Sequence, residues 1–246
     1  RASSGASVAS PPAPAPIGVA LLDGTGSRGL SMARTLGSEE ADQVAKAGRR
    51  VLIGWTGPAD AFPGGGSAQS LPRELSLGAD RTLRQAFVPE LQRLRTSKHV
   101  LATDEGAWFP RRVGLAAEVI ATLPAKDCAA AHSGCGVAVL ADGRTATKIT
   151  LATELGLLLV DATSQNNTAV RGGPLPPPDG QTGAWTIHVY ADHSIVEVIV
   201  NNRTALVVYA APASTAADRV HLVGVPASAS GARLEAWALA DAGHEE

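Results

Sequence analysis

After Arg95 the chain falls into short runs in which apolar and polar positions alternate, with turn-forming residues between them. The runs are "GLAAEVIATL", "GVAVLADG", "ATKITLATE", "LGLLLVDAT", "AWTIHVYAD", "SIVEVIVNN", "TALVVYAA", "RVHLVGVP" and "ARLEAWALA". A period of two puts alternate side chains on opposite faces of a strand. Many such runs at regular spacing predict an all-β, two-sheet antiparallel sandwich. Upstream, "IGVALLD", "LSMARTL" and "RRVLIGWTG" read as strands. "GSEEADQVAKAG" is a polar connection and "FPGGGSAQS" a loop. "RELSLGADRTLRQAFVP" reads as a hairpin turning at Gly78-Ala79-Asp80. Val88, Leu91 and Leu94 are spaced by three, which predicts a short helix. Residues 1–16, "RASSGASVASPPAPAP", have no periodicity and are expected to be flexible or polyproline-like.

The densest cluster of chemically capable residues is "WTIHVYADHSIVEVIVNN", Trp185 to Asn202. Parity decides how to read it. A four-residue turn at Ala191-Asp192-His193-Ser194 sets Tyr190 opposite Ile195, His188 opposite Glu197 and Trp185 opposite Val200. Trp185, Ile187, Val189, Val196, Val198 and Val200 then share one apolar face. Thr186, His188, Tyr190, Ile195, Glu197 and Ile199 take the other, a mixed outer face. His188 and Glu197 become a cross-strand pair with no nucleophile beside it, because Ser194 lies in the turn. The pattern is that of a structural hairpin, with Asp192 and His193 as turn formers.

Hydrophobic residues make up 45% of the 246, enough for a substantial core, and the formal net charge is -2. Nothing in that balance calls for nucleic acid or a membrane as partner. No apolar run approaches the roughly 18 residues of a membrane span. The chain starts at Arg1 without a signal-peptide pattern, which reads as a cut within a longer protein. Cys128 and Cys135 in "DCAAAHSGC" suit a disulfide or two free thiols; a metal site would need more ligands than the intervening His132. Asn166 in "NNT" and Asn202 in "NRT" are N-glycosylation sequons in turn-like stretches.

Several stretches together resemble a known family. Gly48 to Trp55 match a G-R-R-x-L-x-G-W pattern, and Ser67 to Leu75 match S-x-Q-x-L-P-R-E-L. Tyr190 to Asn201 match F-V-D-R-S-x-V-E-V-F-V-N, with His193 for Arg and Ile199 for Phe. "LLLVDATSQNNTAVRGGPLP" and "LEAWAL" add to the series. Over roughly residues 28 to 241, their order and spacing resemble the C-terminal part of glycoside hydrolase family 32, the invertases, β-fructofuranosidases and fructanases.

That resemblance implies a division of the chain. Residues 17–83 would be the remnant of the last blade of a five-bladed propeller and 84–95 a linker. Residues 96–246 would be the C-terminal sandwich, with its first strands near Trp108. The family works by retaining hydrolysis with a nucleophile and an acid/base carboxylate. These lie in motifs such as N-D-P-N-G, R-D-P and E-C, and none of the three occurs here. No catalytic, cofactor-binding or metal-binding residue is therefore carried over. Sucrose or a fructan would be the parent's substrate, the N-terminal propeller the partner, and a secreted or vacuolar location the expectation.

The remaining acidic candidates have plainer readings. Glu39, Glu40 and Asp42 form a charged surface cluster, and Asp60 follows the Gly48–Trp55 motif. Arg73 and Glu74 read as a local ion pair or strand-start contact, with a role near the propeller mouth as the alternative, and Trp55, beside Leu52 and Ile53, as a core residue of the blade rather than a sugar-stacking aromatic. Leu30-Ser31, where the family often has aromatics, and "TGPAD" after Trp55 depart from the pattern. The alternative function is a stand-alone β-sandwich that binds carbohydrate or protein.

Overall fold

In the computed structural model the described residues are 49–56, 68–102, 111–129, 131, 134–165, 170–212, 214–226, 229 and 231–240. Among the described residues five strands come first: β1 (Arg50–Leu52), β2 (Trp55–Thr56), β3 (Ala68–Gln69), β4 (Arg73–Leu77) and β5 (Leu83–Phe87). β1, β4 and β5 form a three-stranded antiparallel sheet, and β2 pairs with β3. The expected hairpin is present as β4–β5. Its loop is longer than the turn alone, because Gly78 N–H donates to Thr82 O and Arg81 N–H to Gly78 O. The strand reaches Phe87, beyond residue 83. "VPELQRLR" forms a 3-10 turn over Pro89–Leu94 with Pro89 at its start, where a missing N–H costs nothing.

The remaining strands build two six-stranded antiparallel sheets. They are β6 (Arg95–Ala102), β7 (Arg111–Arg112), β8 (Ala116–Pro124), β9 (Cys135–Ala141), β10 (Thr147–Ala152) and β11 (Leu157–Asp161). After them come β12 (Arg171–Pro174), β13 (Ala184–Asp192), β14 (Ile195–Val200), β15 (Thr204–Tyr209), β16 (Arg219–Val223) and β17 (Arg233–Leu239). One sheet runs β15-β14-β13-β8-β17-β6 and the other β12-β11-β10-β9-β16-β7. Every alternating run singled out after Arg95 is a strand. Sandwich pairing starts earlier than Trp108, at Arg95, whose strand β6 bonds to β17. A short helix, α1 (Ala125–Ala129), follows β8 directly.

The core lies between the two sheets. β8 contributes Val119, Ala121 and Leu123, β9 Val137 and Val139, and β10 Ile149 and Leu151; β13 adds Ile187 and Val189, and all are at most 1% exposed. A fully buried side chain of this size stabilises by about 1.5–3 kcal/mol. Gly136 in β9 is required by close approach, since a Cβ there would stand 1.8 Å from Ile149 O on β10.

The β13–β14 hairpin corrects the expected register. Asp192 pairs with Ile195, Tyr190 with Glu197, His188 with Ile199 and Ile187 with Val200. The turn has two residues, His193 and Ser194, not four, and His193 takes φ 53. Two-residue turns with positive φ match the twist of paired strands. Shifting the partner by two residues leaves parity intact. The apolar face is therefore the expected one, and Trp185, Ile187, Val189, Val196, Val198 and Val200 are all buried. The face read as outer is also buried in part: Tyr190, Glu197 and Ile199 are 3%, 3% and 1% exposed. The β4–β5 hairpin region covers it, with Phe87, Tyr190 and Ile199 forming a second apolar cluster flanked by Leu71 and Leu91.

Candidate functional site

The covered face holds two buried carboxylates. Glu197 points away from the sandwich core because Val196 and Val198, its neighbours in β14, point in. Its partner is not His188 but Arg73, 124 residues away, at the first position of β4. Arg73 Nη2 donates to Glu197 Oε2 at 2.6 Å, and both side chains are 3% exposed. Leu71 N–H donates to Glu197 Oε1 at 2.6 Å. Arg73 Nη1 also donates to Gln85 Oε1 at 3.3 Å, and Gln85 Nε2 to Arg203 O at 3.0 Å. Burial pushes the Glu197 carboxyl above the usual carboxylate range, against the pull of Arg73 and the Leu71 N–H. The pair thus keys the β4–β5 hairpin to the sandwich. Taking both charges out of water offsets much of their attraction, while removing one partner alone strands the other.

Glu118, in β8, is fully buried and better served. Arg95 Nε and Nη2 donate to its two oxygens, each at 2.6 Å, and His188 Nε2 lies 2.8 Å from Oε1. Burial pushes this carboxyl up, but the hydrogen bonds from Arg95 and His188 outweigh it and hold the pKa at about 2. Phe87 stacks edge-on against His188 at 4.9 Å and Tyr190 at 4.7 Å, between centroids. Arg95 in turn lies 3.9 Å over the Trp237 ring. Burial, followed by the charge of Glu118, drives the Tyr190 phenol far above its ordinary value. A general acid needs a pKa near the working pH and reach to the substrate. Glu118 stays ionised and both carboxylates are enclosed by protein, so the geometry is that of a structural interface.

The other candidates separate in space. Glu74 pairs with Arg49 at 3.1 Å, and Arg49 also reaches Glu90 at 2.5 Å, an exposed ion cluster across β1, β4 and the 3-10 turn. Trp55 is not a core residue: it is 52% exposed, with Val51 and Ile53 each at 51%. Trp55, Ile53, Gly54 and Gln69 line a shallow, open depression. Cys128 and Cys135 are joined by a disulfide with Cα atoms 5.1 Å apart, tying α1 to β9. Asn202 is exposed in the β14–β15 turn. Glu39, Glu40, Asp42, Asp60, Trp108, His132 and Asn166 lie outside the described residues, as do the predicted strands "IGVALLD" and "LSMARTL". Among the described residues no group of His, Cys, Asp and Glu is arranged to hold a metal ion, and no helix is long and apolar enough to cross a membrane.

Sequence reading missed Glu118 and Arg95. The available signal was a Glu set in the run "AAEVIA" on the same parity as Ile120 and Thr122, a charge in the middle of a strand buried among strands.

Fold and interface define an antiparallel β-sandwich that carries a small, separately ordered sheet on one outer face. The chain belongs to glycosyl hydrolases family 32: the family's C-terminal model matches residues 90–238. It is similar in structure to an exo-inulinase from Aspergillus awamori, at TM-score 0.64 and 21% identity, covering 78% of this chain and 40% of that one. A sucrose-6-phosphate hydrolase from Lactobacillus gasseri matches at TM-score 0.61 and 18% identity, over 79% of this chain and 39% of its own. A fructan 1-exohydrolase IIa from Cichorium intybus gives TM-score 0.58 and 17% identity, over 79% and 46%. The chain thus spans less than half the length of each of these three structures. No curated protein sequence gives a significant match.

Proposed function

We propose that this chain serves as the C-terminal part of a β-fructofuranosidase-type glycoside hydrolase that acts on sucrose or a fructan. In this reading β1 to β5 are the last blade of a propeller, and the catalytic carboxylates sit in the preceding blades. The sandwich is the buttress that holds the last blade in place. The observation that carries the reading is the pairing of two kinds of surface on one small sheet. Toward the sandwich it is locked by the buried Arg73–Glu197 pair and the Phe87 cluster. Along β1 and the adjoining β2–β3 pair, Val51, Ile53 and Trp55 are half exposed, as a blade with a further apolar neighbour requires. The absence of the N-D-P-N-G, R-D-P and E-C motifs is consistent with this division. So is the role of each buried carboxylate as an ion-pair partner.

Incubating purified 1–246 with sucrose and with inulin, and following released fructose, tests the proposal. No turnover is expected from this chain alone, because general acid and nucleophile each supply orders of magnitude in rate. Release at about 1 s⁻¹ or faster, abolished by changing Glu74 or Asp60, would overturn it. Tight sugar binding without turnover, lost on changing an exposed sandwich residue, would favour the stand-alone binding module instead.

A further inference from the structure

The β14–β15 connection contains two adjacent asparagines with different uses. Asn201, Asn202 and Arg203 form the loop between Val200 and Thr204, which pair across the two strands. Asn201 and Asn202 both take left-handed φ, 48 and 55, which asparagine tolerates better than most residues. The Asn201 side chain is committed to the fold. Its Oδ1 accepts from Thr186 N–H at 2.7 Å, and its Nδ2 donates to Pro177 O at 2.8 Å. Asn202 contributes its backbone oxygen, which accepts from Gln85 N–H at 2.7 Å, and the residue is exposed. One asparagine thus builds the turn, and the other presents its carboxamide to solvent at the centre of an Asn-Arg-Thr sequon.

A second, independent observation concerns compartment. Cys128 and Cys135 are bonded to each other, and both are fully buried. A disulfide of this kind persists where folding takes place under oxidising conditions. In eukaryotes that is also the compartment in which sequons are glycosylated.

We propose that Asn202 carries an N-linked glycan. The donor is a lipid-diphosphate-linked oligosaccharide, and an oligosaccharyl transferase catalyses the step. The Asn202 amide nitrogen attacks the anomeric carbon of the first sugar, forming a C–N bond. The anomeric C–O bond breaks, the lipid diphosphate leaves with the bonding pair, and the amide proton passes to a base of the transferase. In the folded chain Thr204 Oγ1 donates to Pro174 O at 2.7 Å, so transfer precedes closure of the hairpin. The finished turn then projects the glycan into solvent. Its root lies beside the Gln85–Asn202 and Arg203–Asp80 contacts, so the sugar borders the junction between the small sheet and the sandwich.

The test directs the whole chain through a eukaryotic secretory pathway with an added leader, and analyses the luminal and secreted protein. Peptide N-glycosidase in ¹⁸O water converts a glycosylated asparagine to labelled aspartate, read by peptide mass spectrometry. The label is expected at position 202, lost in Asn202→Gln and in Thr204→Ala, and retained in Thr204→Ser, which keeps the hydroxyl of the sequon. Protein with its Cys128–Cys135 bond formed and position 202 unlabelled would overturn the proposal. So would label at Asn166 alone.

Discussion

The two faces of the sheet β15-β14-β13-β8-β17-β6 are buried by opposite chemistry, the first throughout and the reverse only in part. Toward the second sheet stand Val119, Ala121, Ile187, Val189, Val196, Val198 and Leu234, all at most 1% exposed. On the reverse stand Glu118, Tyr190, Glu197 and Ile199, all at most 3% exposed. The apolar face gains from any well-shaped neighbour, because the hydrophobic effect has no direction. The reverse face is stable only if particular donors arrive from elsewhere, since an unpaired buried charge is costly. Glu118 finds Arg95 and His188 within its own sheet, whereas Glu197 depends on Arg73 from the small sheet. The first face makes a sandwich; the second specifies what may sit on it.

The sharpest way to break this contrast is to orphan one charge. Glu197→Ala should destabilise the chain by about 3–5 kcal/mol, because Arg73 remains buried without its counter-charge. The double change Arg73→Met with Glu197→Leu should cost far less. Urea unfolding of the three proteins measures both, and equal losses would show that the pair contributes only packing.

The two carboxylates should also respond to acid in opposite senses. Glu118 is held near 2 in the folded chain against an ordinary 4.5. Its ionised form therefore contributes on the order of 3 kcal/mol. That contribution is present above the ordinary carboxylate range and lost as pH falls from about 5 toward 2. Glu197 is shifted upward, so the native state holds its proton more tightly than the unfolded chain does. Stability at this site falls as pH rises through the ordinary carboxylate range toward the raised folded value. Urea midpoints between pH 3 and 7 should lose slope in Glu118→Gln and gain acid sensitivity in Glu197→Gln. Parallel profiles for the two variants would contradict the assignment.

On the apolar face a conservative change should be tolerated: Ile187→Val should cost about 0.5–1.5 kcal/mol, read by the same unfolding curves. The smallest effect is expected at the exposed residues of β1 and β2. Trp55→Ser and Val51→Ser should lie within about 0.5 kcal/mol of the parent in stability. In the same chain, amides of β1, β2 and β3 should exchange hydrogen much faster than those of β8 and β13, which have neighbours on both sides. Equal protection would mean that the small sheet needs no further neighbour.

Periodicity alone fixed a great deal. The alternation after Arg95 located each strand it singled out, and the parity of "WTIHVYADHSIVEVIV" assigned six residues to the core correctly even though the turn length was misjudged. Parity survives a two-residue slip because side chains repeat every two residues. Pairing partners do not survive it, which is why His188 was set opposite Glu197. The fate of the reverse face was legible only in three dimensions. Nothing local to "SIVEVIV" reveals that Arg73, 124 residues earlier, supplies the counter-charge, or that "AAEVIA" conceals a carboxylate held by Arg95. The exposure of Trp55 has the same origin: an apolar run says that a residue prefers burial, not whether a neighbour is there to bury it. The sequence by itself determined which residues lie on each face of each strand. The tertiary structure decided which surfaces meet, because contacts between distant segments depend on how the sheets stack, and stacking leaves no period in the chain.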